Sequence, residues 1–280
     1  MSLASQNKIT QGEKGRIFRA LHERDRAFMI PNPWDIGSAR LLAHAGFEAL
    51  ATTSAGYAFS VGKTDNTIGR DEMIAHVDSI ASATNLPVNA DLENGYGDSP
   101  EEAAETIRRA GLVGACGGSV EDATGKSDHP IYELAHASDR IRAASEAARA
   151  LPFTFTLTAR AENYLNGRTD LKDTIKRLQA FQEAGANVLY APGLTSKEDI
   201  AAVVSSVDRP VNVLAGLVNA PLTLADLSAL GVKRVSIGSL FSRVAYGAAI
   251  RAANEMRERG TFTFADQAVT FRDLTAIFKT

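Results

Sequence analysis

Val88-Asn89-Ala90-Asp91-Leu92-Glu93-Asn94-Gly95-Tyr96-Gly97, followed at once by Ser99-Pro100-Glu101-Glu102, sets out one complete strand-to-helix unit. A short apolar run ends in acidic groups and breaks on two glycines. Then come a capping serine, a proline in the first turn, and acids facing the positive end of a helix dipole, which predicts a helix running to about Ala110. Side chains alternate along an extended strand, so Asn89 and Asp91 share one face while Val88 and Ala90 share the other. Oxygen donors converging in small number suit magnesium or manganese better than zinc, which prefers nitrogen and sulfur. The stretch therefore reads as a metal-binding strand end, and a solvated turn rich in Asp and Asn is the plainer alternative.

The same unit recurs along the chain. Strand-like runs fall at Phe28–Pro31, Ala49–Thr53, Pro87–Asp91, Ser119–Glu121, Phe153–Ala159, Asn187–Ala191, Val211–Ala215 and Arg234–Ile237. Helical patterns lie between them, at Asp35–His44, Asp170–Ala184, Ser196–Ser205, Leu222–Leu230 and Ser242–Arg257, with Gly46, Gly185, Gly231 and Gly260 as stops. No Pro/Gly/Ser-rich linker or change of composition divides the chain. The expected architecture is a single (β/α)8 barrel domain over residues 1–280, with the barrel proper at about 28–257, an N-terminal helix and a C-terminal helical tail. An open doubly wound sheet is the runner-up. It predicts a Gly-x-Gly-x-x-Gly turn after the first strand, where Pro31-Asn32-Pro33-Trp34-Asp35 stands instead.

Composition narrows the function classes. A chain of 280 residues with 45% hydrophobic and 22% charged residues is ordinary for a globular protein. The formal net charge of -3 and the absence of a Lys/Arg cluster interleaved with aromatics argue against a nucleic-acid partner and leave room for a small anionic substrate. The single cysteine, Cys116, cannot form an internal disulfide and fits a reducing cytoplasm. Residues 1–19 lack the apolar core of a signal peptide, and no apolar run is long enough to span a bilayer, so a soluble cytoplasmic protein is expected.

Barrels of this kind carry their chemistry at the C-terminal ends of the strands. The second strand ends Thr52-Thr53-Ser54-Ala55-Gly56-Tyr57, whose backbone amides suit a carboxylate, and the next loop brings Asp65. Glu121 shares with Ser119 the alternation that faces the barrel interior, and a buried acid needs a partner such as a metal. Arg160 extends the inward series Thr156, Thr158 as a fork for a carboxylate or a developing enolate oxygen; an ion pair with a neighbouring acid is its structural alternative. Lys126 and His129 lie in the polar loop Asp122–Pro130, which suits a flap over bound substrate. His44 and His76 fall within helical patterns and carry no assigned chemistry. Ser236-Ile237-Gly238-Ser239-Leu240 is either a phosphate-binding turn or a simple tight turn. Zinc spacing, a Walker loop and a Gly-x-Ser-x-Gly elbow are all missing.

These residues, in this order, resemble the isocitrate lyase/phosphoenolpyruvate mutase superfamily from about Phe28 to about Arg257. The likeness rests on Asn32-Pro33-Trp34-Asp35 with Ser38-Ala39-Arg40, Thr53-Ser54-Ala55-Gly56, Asn89-Ala90-Asp91 with Gly95-Tyr96-Gly97, Val120-Glu121-Asp122 and Thr158-Ala159-Arg160. It implies an oligomeric barrel, a homodimer or homotetramer, with a C-terminal helix exchanged between subunits. It also implies Mg2+, or Mn2+, holding a small α-keto or α-hydroxy carboxylic acid. Asp91 and Glu121 would be the metal-shell acids, with Asn89 and Glu93 adjusting that shell. Trp34, Thr53, Ser54, Ala55, Tyr57 and Arg160 would contact the substrate, and Asp65, Arg160, Lys126 and His129 would serve catalysis. Three departures stand out. Asn89 replaces the first of two aspartates usual on strand three; the Lys-Arg/Lys-Cys-Gly-His loop of isocitrate and methylisocitrate lyases is missing; and strands six and seven end on Ala191-Pro192-Gly193 and Leu214-Ala215-Gly216. The expected activity is a Mg2+-dependent carbon-carbon lyase or decarboxylase working through an enolate. The alternatives are carbon-phosphorus cleavage of phosphonopyruvate type, or a catalytically weakened barrel that binds metabolites.

Overall fold

The computed structural model describes residues 9–218 and 220–279. Eight parallel strands alternate with helices: β1 Phe28–Ile30, β2 Leu50–Ala51, β3 Val88–Asp91, β4 Gly117–Glu121, β5 Thr156–Arg160, β6 Val188–Tyr190, β7 Val211–Leu214 and β8 Arg234–Ser236. The helices are α1 Gln11–His22, α2 Ile36–His44, α3 Ser54–Ser60, α4 Arg70–Ala83, α5 Pro100–Leu112, α6 Leu134–Arg149, α7 Leu171–Glu183, α8 Lys197–Ser205, α9 Leu224–Ala229, α10 Leu240–Arg259 and α11 Phe271–Phe278. Strand order runs β1-β8-β7-β6-β5-β4-β3-β2, each neighbour pair parallel, so the sheet wraps almost into a full cylinder. At the seam, Ala51 N–H donates to Pro31 O at 3.0 Å. Asn32 reinforces it, donating to Thr52 O (3.0 Å) and accepting from Ile237 N–H (3.1 Å). The architecture is a (β/α)8 barrel, as the alternating pattern predicts.

Strand alternation divides the apolar from the polar residues. Ala90, Val120, Leu157, Ala159 and Leu189 face outward and are fully buried against helical residues that include Ile107, Leu178 and Phe181. The inward series, Asn89 and Asp91, Ser119 and Glu121, Thr156, Thr158 and Arg160, Asn212, Arg234 and Ser236, is polar. Below it, α1 plugs the lower mouth with Phe18 and Leu21 against Phe28, Ile30, Ala49 and Ala51. Gly117 permits that plug, because a Cβ there would stand 2.8 Å from Asn89 Oδ1, Phe18 Cε1 and Thr156 O alike.

One local expectation changes. The second strand stops at Ala51 instead of Thr53, because Thr53 leaves the sheet to cap α3, its Oγ1 accepting from Gly56 N–H at 3.2 Å. In the Ser236–Leu240 turn the amide of Ile237 is engaged by Asn32, while Gly238 and Ser239 line the cavity.

Candidate active site

Parallel register brings the strand ends to one level: Asp91 lies beside Ser119, Glu121 beside Arg160, and Arg160 beside Tyr190. They ring the top of a cavity of about 560 Å3. Arg160 is its electrostatic centre. Nη1 contacts Asp91 Oδ1 at 2.8 Å, and Nη2 contacts Glu121 Oε2 at 2.9 Å and Glu162 Oε1 at 2.9 Å. The guanidinium also lies 5.3 Å from the centre of the Tyr190 ring. Burial alone disfavours its charge, but Glu121, Glu162 and Asp91 overcome that and raise its pKa well above the ordinary arginine value.

Acid exceeds base in this cavity. Asp65, Asp91, Glu93, Glu121 and Glu162 line it against two arginines, Arg160 and Arg234, and a lysine at the rim. The surplus shows in the titration of the acids. Desolvation first, then Asp91 and Asp65, push the Glu93 carboxyl up to about 8, with Arg160 opposing. Desolvation raises Glu121 well above the carboxylate range despite Arg160, and raises Glu162 in the same direction. Asp65 is raised by desolvation and by Asp91, while a hydrogen bond from Ser54 opposes the shift.

The β3–α5 loop aims Glu93 inward through unusual backbone geometry. Glu93 and Tyr96 have φ of 46° and 58°, and Gly95 between them has 79°. Arg140 holds the loop by donating to Gly97 O at 2.6 Å and to Asn94 O, and Arg70 donates to Tyr96 O at 3.0 Å. The strain of left-handed residues is thus offset by buried donors that fix loop carbonyls.

Two buried acceptors, Asn89 Oδ1 and Glu93 Oε1, have no hydrogen-bond partner. Glu93 Oε1, beside the surplus acid, fits a cation, while Asn89 Oδ1 lies one layer lower, facing Gly117 above the Phe18 plug. Among the described residues, no group of three or more His, Cys, Asp or Glu side chains stands at metal-ligand spacing. Such oxygens fit a hard cation bound through one or two carboxylates, with water and substrate completing its shell. Of the expected set Asp91, Glu93, Glu121 and Asn89, one or two carboxylates would hold such a cation and the others would shape its surroundings.

The other expected site residues divide. Thr53, Ser54, Ala55 and Asp65 line the cavity. Ser54 already binds a carboxylate, but an internal one: its N–H and Oγ donate to Asp91 Oδ2 at 3.0 and 3.1 Å. Lys126 reaches the rim and pairs with Asp98 at 2.7 Å, both well exposed. His129 is exposed and outside the lining, although its loop neighbours Ala123, Gly125, Lys126, Ser127 and Pro130 line the cavity. Trp34 and Tyr57 are also outside it. The Trp34 backbone N–H donates to Ser38 Oγ at 3.0 Å, and Tyr57 stacks on His76 with ring centres 4.0 Å apart and reaches Glu72 at 3.4 Å. Tyr57 falls on the outer face once Thr53 starts a helix.

Sequence reasoning missed Glu162, Tyr190, Asn212 and Arg234, which all line the cavity. Glu162 continues the alternation of Thr156, Thr158 and Arg160. Asn212 and Arg234 are inward positions two residues before the ends of their strands, below the level where the acidic signals stand.

Known proteins agree with this geometry. A family model described as phosphoenolpyruvate phosphomutase matches residues 18–257. A solved structure from Burkholderia cenocepacia, described provisionally as a lyase/mutase, superposes with a TM-score of 0.95 at 60% identity, covering 96% of this chain and 97% of that one. The 2-methylisocitrate lyase of Escherichia coli is 28% identical over 88% of this chain and 86% of its own. Oxaloacetate acetylhydrolase, solved with its product oxalate, has a TM-score of 0.84 at 27% identity over 95% and 93% of the two chains. The chain belongs to the phosphoenolpyruvate phosphomutase family, within the isocitrate lyase/phosphoenolpyruvate mutase superfamily of lyases and mutases.

Proposed function

We propose that this protein is a Mg2+-dependent carbon-carbon lyase or decarboxylase acting on a small α-keto or α-hydroxy carboxylic acid. The observation that carries the reading is one arginine, ion-paired to three carboxylates, at the strand ends of a cavity with surplus acid and unpartnered acceptors. Relatives named for 2-methylisocitrate and oxaloacetate support the substrate class.

Breaking a bond next to a carbonyl leaves its electron pair on the adjoining carbon, delocalised onto the carbonyl oxygen as an enolate. A bound divalent cation would supply Lewis-acid stabilisation of that charge. Arg160 contributes fixed positive charge whose orientation Asp91, Glu121 and Glu162 lock before reaction, which is where electrostatic preorganisation acts. Thr53, Ser54 and Ala55 offer amides and hydroxyls to the substrate carboxylate once Asp91 turns to its other partners. Asp65, with its raised pKa, and Lys126 at the rim are the groups available to move a proton to the enolate carbon. His129 would need the Asp122–Pro130 loop to fold inward.

Oxaloacetate, 2-methylisocitrate and isocitrate, each assayed with and without EDTA, test this. Turnover of at least one that EDTA abolishes and Mg2+ restores is expected; metal-independent turnover discards the mechanism. The match to a phosphomutase family model favours a second reading, carbon-phosphorus cleavage. Phosphate release from phosphonopyruvate in the same assay would select it.

A further inference from the structure

Beneath the acid cluster the barrel holds a second arginine that this mechanism does not use. Arg234 opens β8, is 3% exposed, and lines the lower part of the same cavity. Its Nε donates to Asn212 Oδ1 at 2.9 Å, its Nη2 to Thr158 Oγ1 at 3.0 Å, and its Nη1 meets His22 Nε2 at 3.4 Å. The tautomer of His22 follows from its other contact. Nδ1 lies 2.8 Å from Phe18 O, which can only accept, so Nδ1 carries the proton and Nε2 presents a lone pair to Arg234. All three partners are neutral, and among the described residues no carboxylate forms an ion pair with Arg234. A guanidinium sealed in a protein interior is ordinarily matched by an anion, because desolvating an unpaired charge is costly.

The surroundings fit an anion that arrives with the ligand. Tyr190, Ser236 and Asn212 line the cavity beside Arg234, with Asn212 Nδ2 donating to Ser236 Oγ at 3.0 Å. Thr158, which Arg234 contacts, and Arg160 are successive inward positions of β5, roughly 7 Å apart along the strand. The two arginines therefore serve adjacent layers of one chamber.

We propose that Arg234 is the counter-charge for the second carboxylate of a small dicarboxylate whose first carboxylate lies at the Arg160 level, so the site selects dicarboxylates over monocarboxylates. The placement of the first carboxylate rests on the lyase reading; the role of Arg234 rests on its own unpaired charge. The competing account is purely structural, with the acids above balancing Arg234 at longer range.

Titration calorimetry with Mg2+ present separates the two, using oxalate, succinate and succinamate as probes on the wild-type protein, R234Q and R234K. Wild-type protein should bind succinate at least tenfold more tightly than succinamate, which keeps the shape and loses one charge. In R234Q the ratio of succinate to oxalate affinity should fall at least tenfold, with partial recovery in R234K. A crystal grown with succinate should show one carboxylate on Arg234. Equal wild-type affinity for succinate and succinamate overturns the inference, as does an equal loss of both affinities in R234Q. If R234Q does not fold, the wild-type comparison and the crystal decide. If oxalate fails to bind while succinate is still preferred over succinamate, the lyase reading falls and the assignment of Arg234 stands.

Discussion

At the scale of single residues, the site depends on the shape of Arg160 as much as on its charge. A planar fork is needed to meet Asp91, Glu121 and Glu162 at once, and a lysine ammonium cannot reproduce that geometry. Arg160→Lys should therefore lower kcat on the active substrate by roughly a hundredfold or more, the scale of losing one preorganised donor to a developing oxyanion. Steady-state kinetics checks it, and a loss below about fivefold would remove Arg160 from the chemistry. Glu162→Gln removes one of the three anions that orient the fork. It should lower kcat by a smaller factor, roughly tenfold, while circular dichroism stays unchanged.

At the scale of elements, the β3–α5 connection links sequence to site most directly. Ser99 caps α5 with a reciprocal box, its Oγ accepting from Glu102 N–H while Glu102 accepts from Ser99 N–H at 3.2 Å. Ser99→Ala should cost about 1 kcal/mol in denaturant unfolding, the usual value of such a cap. Arg140 secures the other side of the same loop and is only 1% exposed. The acids Asp91 and Glu93 thus stand on a strand end and a turn whose far side is anchored to two helices, α5 and α6. A fastened loop holds its side chains in a defined geometry.

At the scale of the whole molecule, two buried histidines couple stability to pH. Burial first, and then the Arg234 charge, lower the pKa of His22 to about 3; burial lowers that of His76 to about 4, with Asp35 opposing. Both rings stay neutral in the folded protein, whereas in the unfolded chain they take up protons near 6.5. Their contribution is full above that pH and declines as pH falls from about 6.5 toward 4, at roughly 1.4 kcal/mol per pH unit for each ring. Glu93, Glu121, Glu162 and Asp65, whose carboxyls are raised, act with the opposite sign over that range, so the histidine share is read as a difference: the urea stability of wild type minus that of H76Q should fall as pH drops from about 6.5 toward 4. The outer surface carries a second prediction. α10 exposes Val244, Tyr246, Ile250 and Met256, and among its described residues only Ser242 is buried. We propose that this face is covered by another subunit in a homodimer or homotetramer, with the C-terminal helix as the exchanged element. Sedimentation equilibrium should give two or four chains per particle, and a monomer at micromolar concentration would contradict it. No helix among the described residues is long and apolar enough to cross a membrane.

Local sequence was enough for the barrel and for the acidic strand ends. Strand alternation, helix caps and glycine stops act over a few residues, so Asp91, Glu121 and Arg160 could be assigned to one face of their strands before any contact was known. Tertiary structure alone decided which charges meet. Arg160 joins Asp91 from a strand two places away in the sheet, Arg234 finds His22 from 212 residues away, and Tyr57 turns away because Thr53 ends its strand early. The physical reason is range: hydrophobic period and backbone propensity are fixed by near neighbours, whereas an ion pair or an unmatched buried charge depends on closure of the cylinder, which brings distant residues into one low-dielectric chamber.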